Sequence, residues 1–154
     1  MRSADGASRS RSAGPASIRL LLVEDELSTV FAMREFFTQG GYDVDCATGV
    51  DAALELVEQK RYDAVITHLH LTKLRSGEGM AIARRAREQN PHACIVMLTA
   101  YGSEAVEHEA TRCGVNLFHT KPVALTRLSE FVTLAVRAAE HTATFQTDLK
   151  CRYH

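Results

Sequence analysis

Residues 62–71, YDAVITHLHL, decide how this chain is read. Ala64-Val65-Ile66-Thr67 is a short, continuous, β-branched-rich run, the pattern of a strand covered on both faces. It closes on His68, which puts an imidazole at the carboxyl end of that strand. Upstream, residues 18–23 form a similar run broken only by Arg19, and it passes straight into Glu24-Asp25-Glu26. Downstream, Cys94–Thr99 ends in the hydroxyl of Thr99, and a last short run at 115–119 precedes Lys121 and Pro122.

Helical patterns fill the gaps between these runs. Leu27–Gln39 carries Val30, Phe31, Met33, Phe36 and Phe37 at helical spacing and stops at Gly40-Gly41. Residues 42–47 alternate and read as a strand, and Val50–Gln59 sets Ala52, Ala53, Leu56 and Val57 on one helix side. After a polar loop at 72–77, residues 79–89 turn Met80, Ile82, Ala83 and Ala86 inward. Arg84, Arg85 and Arg87 face outward as a solvated face, and Asn90-Pro91 ends the helix. Glu104–Arg112 is a short helix closed by Gly114, and residues 125–139 form the last one.

Alternating βα units with short connections predict an α/β fold, a doubly wound five-stranded parallel sheet with helices on both faces. Ligands of such sheets gather beyond the carboxyl ends of the strands. Glu24, Asp25, His68, Thr99 and Lys121 all fall there. Residues 18–140 are expected to form one domain. Residues 1–17, rich in Ser, Ala, Gly and Arg, cannot bury enough apolar surface to offset ordering and read as a tail. Their bias weakly suggests a transit peptide, against which Asp5 and Gly14-Pro15 count, or a start-site extension. Residues 141–154 read as a tail or a helix extension.

At 154 residues, 45% apolar, 24% charged and a net charge of −1, the chain has an ordinary globular composition and no broad field to attract nucleic acid or membrane. No stretch approaches the roughly 20 apolar residues of a transmembrane helix. Cys46, Cys94, Cys113 and Cys151 lack zinc-type spacing and read as free thiols, consistent with a reducing cytoplasm.

In combination and order, LLVEDE (21–26), VMLTAYG (96–102) and HTKPV (119–123) resemble the receiver domain of bacterial two-component response regulators, over about residues 18–139. The resemblance implies a flavodoxin-like three-layer fold and assigns roles to residues. Asp25 would match the direct magnesium ligand and Glu24 the one acting through water. Thr99 would be the switch hydroxyl, Lys121 with Pro122 the lysine motif, and Phe118 the aromatic that rotates in signalling. YDAVITHLHL would carry the phosphorylated aspartate at position 68, where this chain has His68. Thr72 also stands where the family usually has proline, and the loop 73–76 is one residue longer.

Imidazole suits Mg²⁺ poorly, because that ion prefers octahedral oxygen ligands. His68 is therefore expected to pair with Asp25 and replace the metal by charge, leaving Mg²⁺ binding weak or lost and no cofactor. Lys121 should then turn toward Glu24 or Asp25, or outward. His68 and His70 also form an HxH pair beside two carboxylates, a transition-metal alternative in which Asp25 and His68 would be ligands. A phosphohistidine role is disfavoured by the recessed position among carboxylates. The acidic cluster can serve equally as a helix N-terminus, and Phe118 as core packing.

These readings predict an atypical receiver, not an enzyme, acting by phosphorylation-independent protein–protein contact in bacterial signalling. Its expected partners are a histidine kinase or an effector, bound through residues 104–139, with a homodimer as a further option. No output domain follows in the sequence, as for a stand-alone domain or a piece of something longer. The alternative is an otherwise competent phosphoacceptor altered from aspartate at position 68.

Overall fold

The computed structural model describes residues 17–69 and 77–152, with side chains as far as His141. The expected tail (all but Ser17), His70, Thr72, the loop 73–76 and the side chain of Cys151 lie outside the described residues. The elements are β1 Arg19–Val23, α1 Leu27–Gln39, β2 Asp43–Ala47, α2 Val50–Gln59, β3 Ala64–His68, α3 Glu78–Gln89, β4 Cys94–Thr99, α4 Glu104–Arg112, β5 Leu117–Thr120 and α5 Leu125–Arg152. Among the described residues the strands form one parallel sheet in the order β2-β1-β3-β4-β5.

Alternation along the central strands feeds two cores. Leu21, Val23, Val65, Ile95 and Met97 face α2, α3 and α4, meeting Ala53, Val57, Ile82, Ala83 and Ala110. Leu20, Leu22, Ile66, Val96 and Leu98 face α1 and α5, meeting Met33, Phe37, Leu128, Val132 and Val136. With β1, β3 and β4 covered on both sides, their uninterrupted apolar sequence follows directly. Gly41 ends α1 in the left-handed region at φ 93°, a conformation that costs glycine little.

Two features depart from the sequence pattern, and one expectation left between a tail and a helix resolves to a helix. The fifth strand starts at Leu117, not residue 115, because Asn116 replaces a ladder contact: its Oδ1 accepts the Ile95 N–H at 2.8 Å. The last helix runs on to Arg152, which makes residues 141–152 a helix extension. The α3 arginines are not a uniformly solvated face. Arg87 is half-buried and donates to the carbonyls of Gly114 (2.6 Å) and Pro91 (2.8 Å) and to Asn116 Oδ1 (2.8 Å). Arg85 pairs with Glu58 and Glu88, while Arg84 reaches the Cys113 thiol at 3.3 Å. Cys46, Cys94 and Cys113 are free thiols, as their spacing predicts.

Candidate functional site

Strand β1 is where the winding reverses, since its neighbours are β2 on one side and β3 on the other. Such a switch point is where open α/β sheets place ligands. The register pairs Val23 with Thr67, so the next residues along, Glu24 and His68, emerge side by side. Both are buried, at 3% and 7% exposure.

His68 Nε2 and Glu24 Oε2 are in direct contact. Lys121 Nζ approaches the same oxygen at 3.4 Å from the turn after β5. The other carboxylate oxygen, Oε1, accepts the Glu26 N–H at 3.0 Å. Burial opposes the charge on Glu24, but hydrogen bonds from His68 and the Glu26 amide overcome it and hold its pKa at about 2. Both oxygens of Glu24 are thus committed to donors within the protein.

Asp25 is placed differently. It lies exposed in the turn before α1, and partial burial together with the Glu24 carboxylate raises its pKa. The expected His68–Asp25 pair is therefore corrected to His68–Glu24. The backbone explains the change: residue 24 continues the β1 ladder, its N–H donating to Ala47 at 3.1 Å, while residue 25 has already turned outward. Of the alternatives for Lys121, the structure takes the turn toward Glu24.

Thr99, at the end of β4, is bound to its own loop. Its hydroxyl donates to the Tyr101 carbonyl at 2.8 Å and accepts the Tyr101 N–H at 3.2 Å. Phe118 is half-buried against the α2–α3–α4 core and sits under Gly102, where a Cβ would come within 3.1 Å of its Cε1. Pro122 follows Lys121 through a cis peptide and is exposed. The charged cluster therefore gathers Glu24, His68 and Lys121, with Asp25 at its rim, and leaves Thr99 and Phe118 in a separate cluster around the β4–α4 loop.

Gly79 is a support that the sequence reading missed. A Cβ there would strike the His68 carbonyl oxygen and lie 2.9 Å from Leu69 Cα, so only glycine lets α3 seat on the end of β3. A glycine inside an amphipathic helix was the available signal. Among the described residues, no group of three or more His, Cys, Asp or Glu gathers as metal ligands, and His70, half of the HxH pair, is not among them.

A sheet of this order with an acidic residue after β1 and a lysine after β5 is the receiver architecture, and the chain belongs to the response regulator receiver domain family, matched over residues 20–133. It is a receiver domain of the two-component signalling type. Among curated relatives, Sensor protein EvgS of Escherichia coli (strain K12) is 30% identical over 131 residues, covering 82% of this chain and 11% of EvgS. Response regulator protein PilR of Pseudomonas aeruginosa is 30% identical over 119 residues, covering 77% of this chain and 26% of PilR. Transcriptional regulatory protein DltR of Streptococcus agalactiae is 32% identical over 120 residues, covering 78% and 52%. This chain thus spans about half or less of the length of these relatives. In fold it is similar to a CheY-like receiver from Methanospirillum hungatei, with TM-score 0.75, 20% identity and coverage of 82% and 99%. A Burkholderia pseudomallei regulator bearing a phosphorylated aspartic acid, calcium ion and citrate has TM-score 0.69, 21% identity and coverage of 84% and 75%. No helix among the described residues is long and apolar enough to cross a membrane.

Proposed function

We propose that this domain is an atypical receiver in which His68 replaces the phosphoacceptor aspartate, so that it signals by protein–protein contact without phosphorylation. The observation that carries the reading is the closed triad His68–Glu24–Lys121. A carboxylate at position 68 would leave an electronegative pocket that needs cations. Here the imidazole and the ammonium group converge on the same oxygen of Glu24, so that the protein itself occupies the place a cation would take.

The residues present fit the magnesium ion of the family poorly. Glu24 has both oxygens engaged, position 68 offers nitrogen, and Asp25 alone remains as an exposed carboxylate beside Glu24 where an octahedral oxygen shell is wanted. No step is therefore routed through a metal, and the domain works as a binding module without cofactor or turnover. Its contact face is α4, β5 and the first half of α5, within residues 104–139. Leu134 is 70% exposed on that face, and Tyr101, 88% exposed, stands beside it. A histidine kinase or an effector domain in the cytoplasm is the partner this reading favours, with self-association through the same face as its homotypic form; neither nucleic acid nor membrane is called for.

A second reading has one observation in its favour: Asp25, Thr99 and Lys121 are all present, as in a competent receiver altered only at position 68. Intact-mass spectrometry after treatment with acetyl phosphate and Mg²⁺ separates the two. The unaltered chain should gain no phosphoryl adduct of about 80 Da. Continued inertness of His68→Asp supports the atypical reading, recovery of the adduct supports the second, and an adduct on the unaltered chain overturns both.

A further inference from the structure

The α4 face turned toward α3 is built from Ala105, His108, Glu109 and Arg112, an i, i+3, i+4, i+7 stripe that helices ordinarily fill with apolar residues. Because it is polar, the two helices do not close on each other. They leave a solvent-open cavity of about 680 Å³, lined by that exposed stripe together with exposed Arg84 and buried Cys113. Only Ala110 of α4 is buried.

The cations here are held unlike the other arginines of α3. Arg85 is matched by two carboxylates, and Arg87 by three backbone carbonyls and a side-chain amide oxygen. Arg84 has one partner among the described residues, the weakly accepting Cys113 sulfur at 3.3 Å, which fixes one end of the guanidinium and leaves its other donors open. Arg112 has no hydrogen-bond or ion-pair partner among the described residues, although Glu109 lies three residues before it on the same helix. Two permanent positive charges and one imidazole thus face a single carboxylate across a space of ligand size.

We propose that the α3–α4 cavity binds a phosphate-bearing small molecule, with Arg84 and Arg112 as the two arms that grip its oxyanion. Guanidinium forks match phosphate oxygens two at a time, which a lysine pair would not do. The volume exceeds what bare phosphate fills, so a nucleotide-sized ligand is the fitting class. His108, which also lines the cavity, adds a donor. The site is independent of the His68 cluster, and its occupancy would brace α4, the least buried helix of the proposed contact face.

Isothermal titration calorimetry on the full chain tests this with pyrophosphate, adenosine diphosphate, adenosine and citrate as probes. Saturable binding of pyrophosphate and the diphosphate is expected, with adenosine silent, and Arg84→Gln or Arg112→Gln should each weaken it at least tenfold at unchanged circular dichroism. Failure of both phosphates to bind overturns the proposal, and so does binding that neither variant weakens. Binding of citrate alone overturns the phosphate assignment. Shifts of the Arg84 and Arg112 Nε–H resonances on titration with pyrophosphate provide a second readout should a variant fail to fold; their absence at saturation also overturns the proposal.

Discussion

Helices α3 and α4 line the same cavity and pack on the same face of the sheet, yet they are anchored in opposite ways. From α3, Glu78, Gly79, Met80, Ile82, Ala83 and Ala86 are buried, and its first turn is pressed against the carboxyl end of β3. From α4, Ala110 alone is buried, and Val106 is packed partway. The Glu24–His68 contact therefore sits beside the tightly packed helix, while Lys121 reaches it from the turn after β5. The face proposed for partners sits in the loosely packed half, where local opening costs least.

The sharpest way to break this comparison is to truncate equivalent apolar contacts in each helix. Ile82 is fully buried between β-strand and helix side chains, and Ile82→Ala should cost about 3–4 kcal/mol through lost burial and the cavity left behind. Val106→Ala should cost under about 1 kcal/mol, because its site is already partly solvated. Urea unfolding at unchanged m-value measures both. Equal losses would mean that α4 is as firmly seated as α3.

The next test addresses the charged cluster beside α3. Glu24 has its pKa held at about 2 in the folded protein, against 4.5 for the free side chain. A depressed folded value means that Glu24 stabilises the fold fully above about pH 5 and loses that contribution as pH falls from about 4.5 to about 2. Asp25, whose pKa is raised, acts in the opposite direction and masks part of the loss. Glu24→Gln should cost about 3 kcal/mol near neutral pH, because it strands the Lys121 ammonium group and removes the carboxylate that His68 contacts, and it should flatten the acid limb of the stability curve. An acid limb as steep in Glu24→Gln as in the parent would show that the pair does not supply the pH dependence.

Most of the architecture was legible because the strands under both helical layers must be apolar throughout, and the runs ending at Val23, His68 and Thr99 say so without ambiguity. The site was legible only in its membership. That Glu24, not Asp25, faces His68 depends on where the β1 ladder stops, a one-residue question that periodicity does not resolve. Arg87 looked solvent-directed because its neighbours are Arg84 and Arg85. Its acceptors, Gly114 and Asn116, are 27 and 29 residues away and become visible only once β4 and β5 are paired. The helix extension to Arg152 is not distinguishable from a tail in the sequence, because residues past 140 show weak apolar periodicity.

Arg87 is also where the two halves are tied together, and it gives the most specific prediction. Its guanidinium leaves α3 and holds the turn that follows α4, with Gly114 at φ 95° packed directly against its stem. Arg87→Met keeps the apolar stem but removes the hydrogen bonds, a loss of about 1–2 kcal/mol because Gly114 and Asn116 retain some access to water. If the tie is local, amide exchange should accelerate across residues 104–116 while residues 78–89 remain protected, since the buried stripe of α3 does not depend on it. Faster exchange in both helices would place Arg87 in one cooperative unit with the core and erase the distinction between a packed half and a loose one.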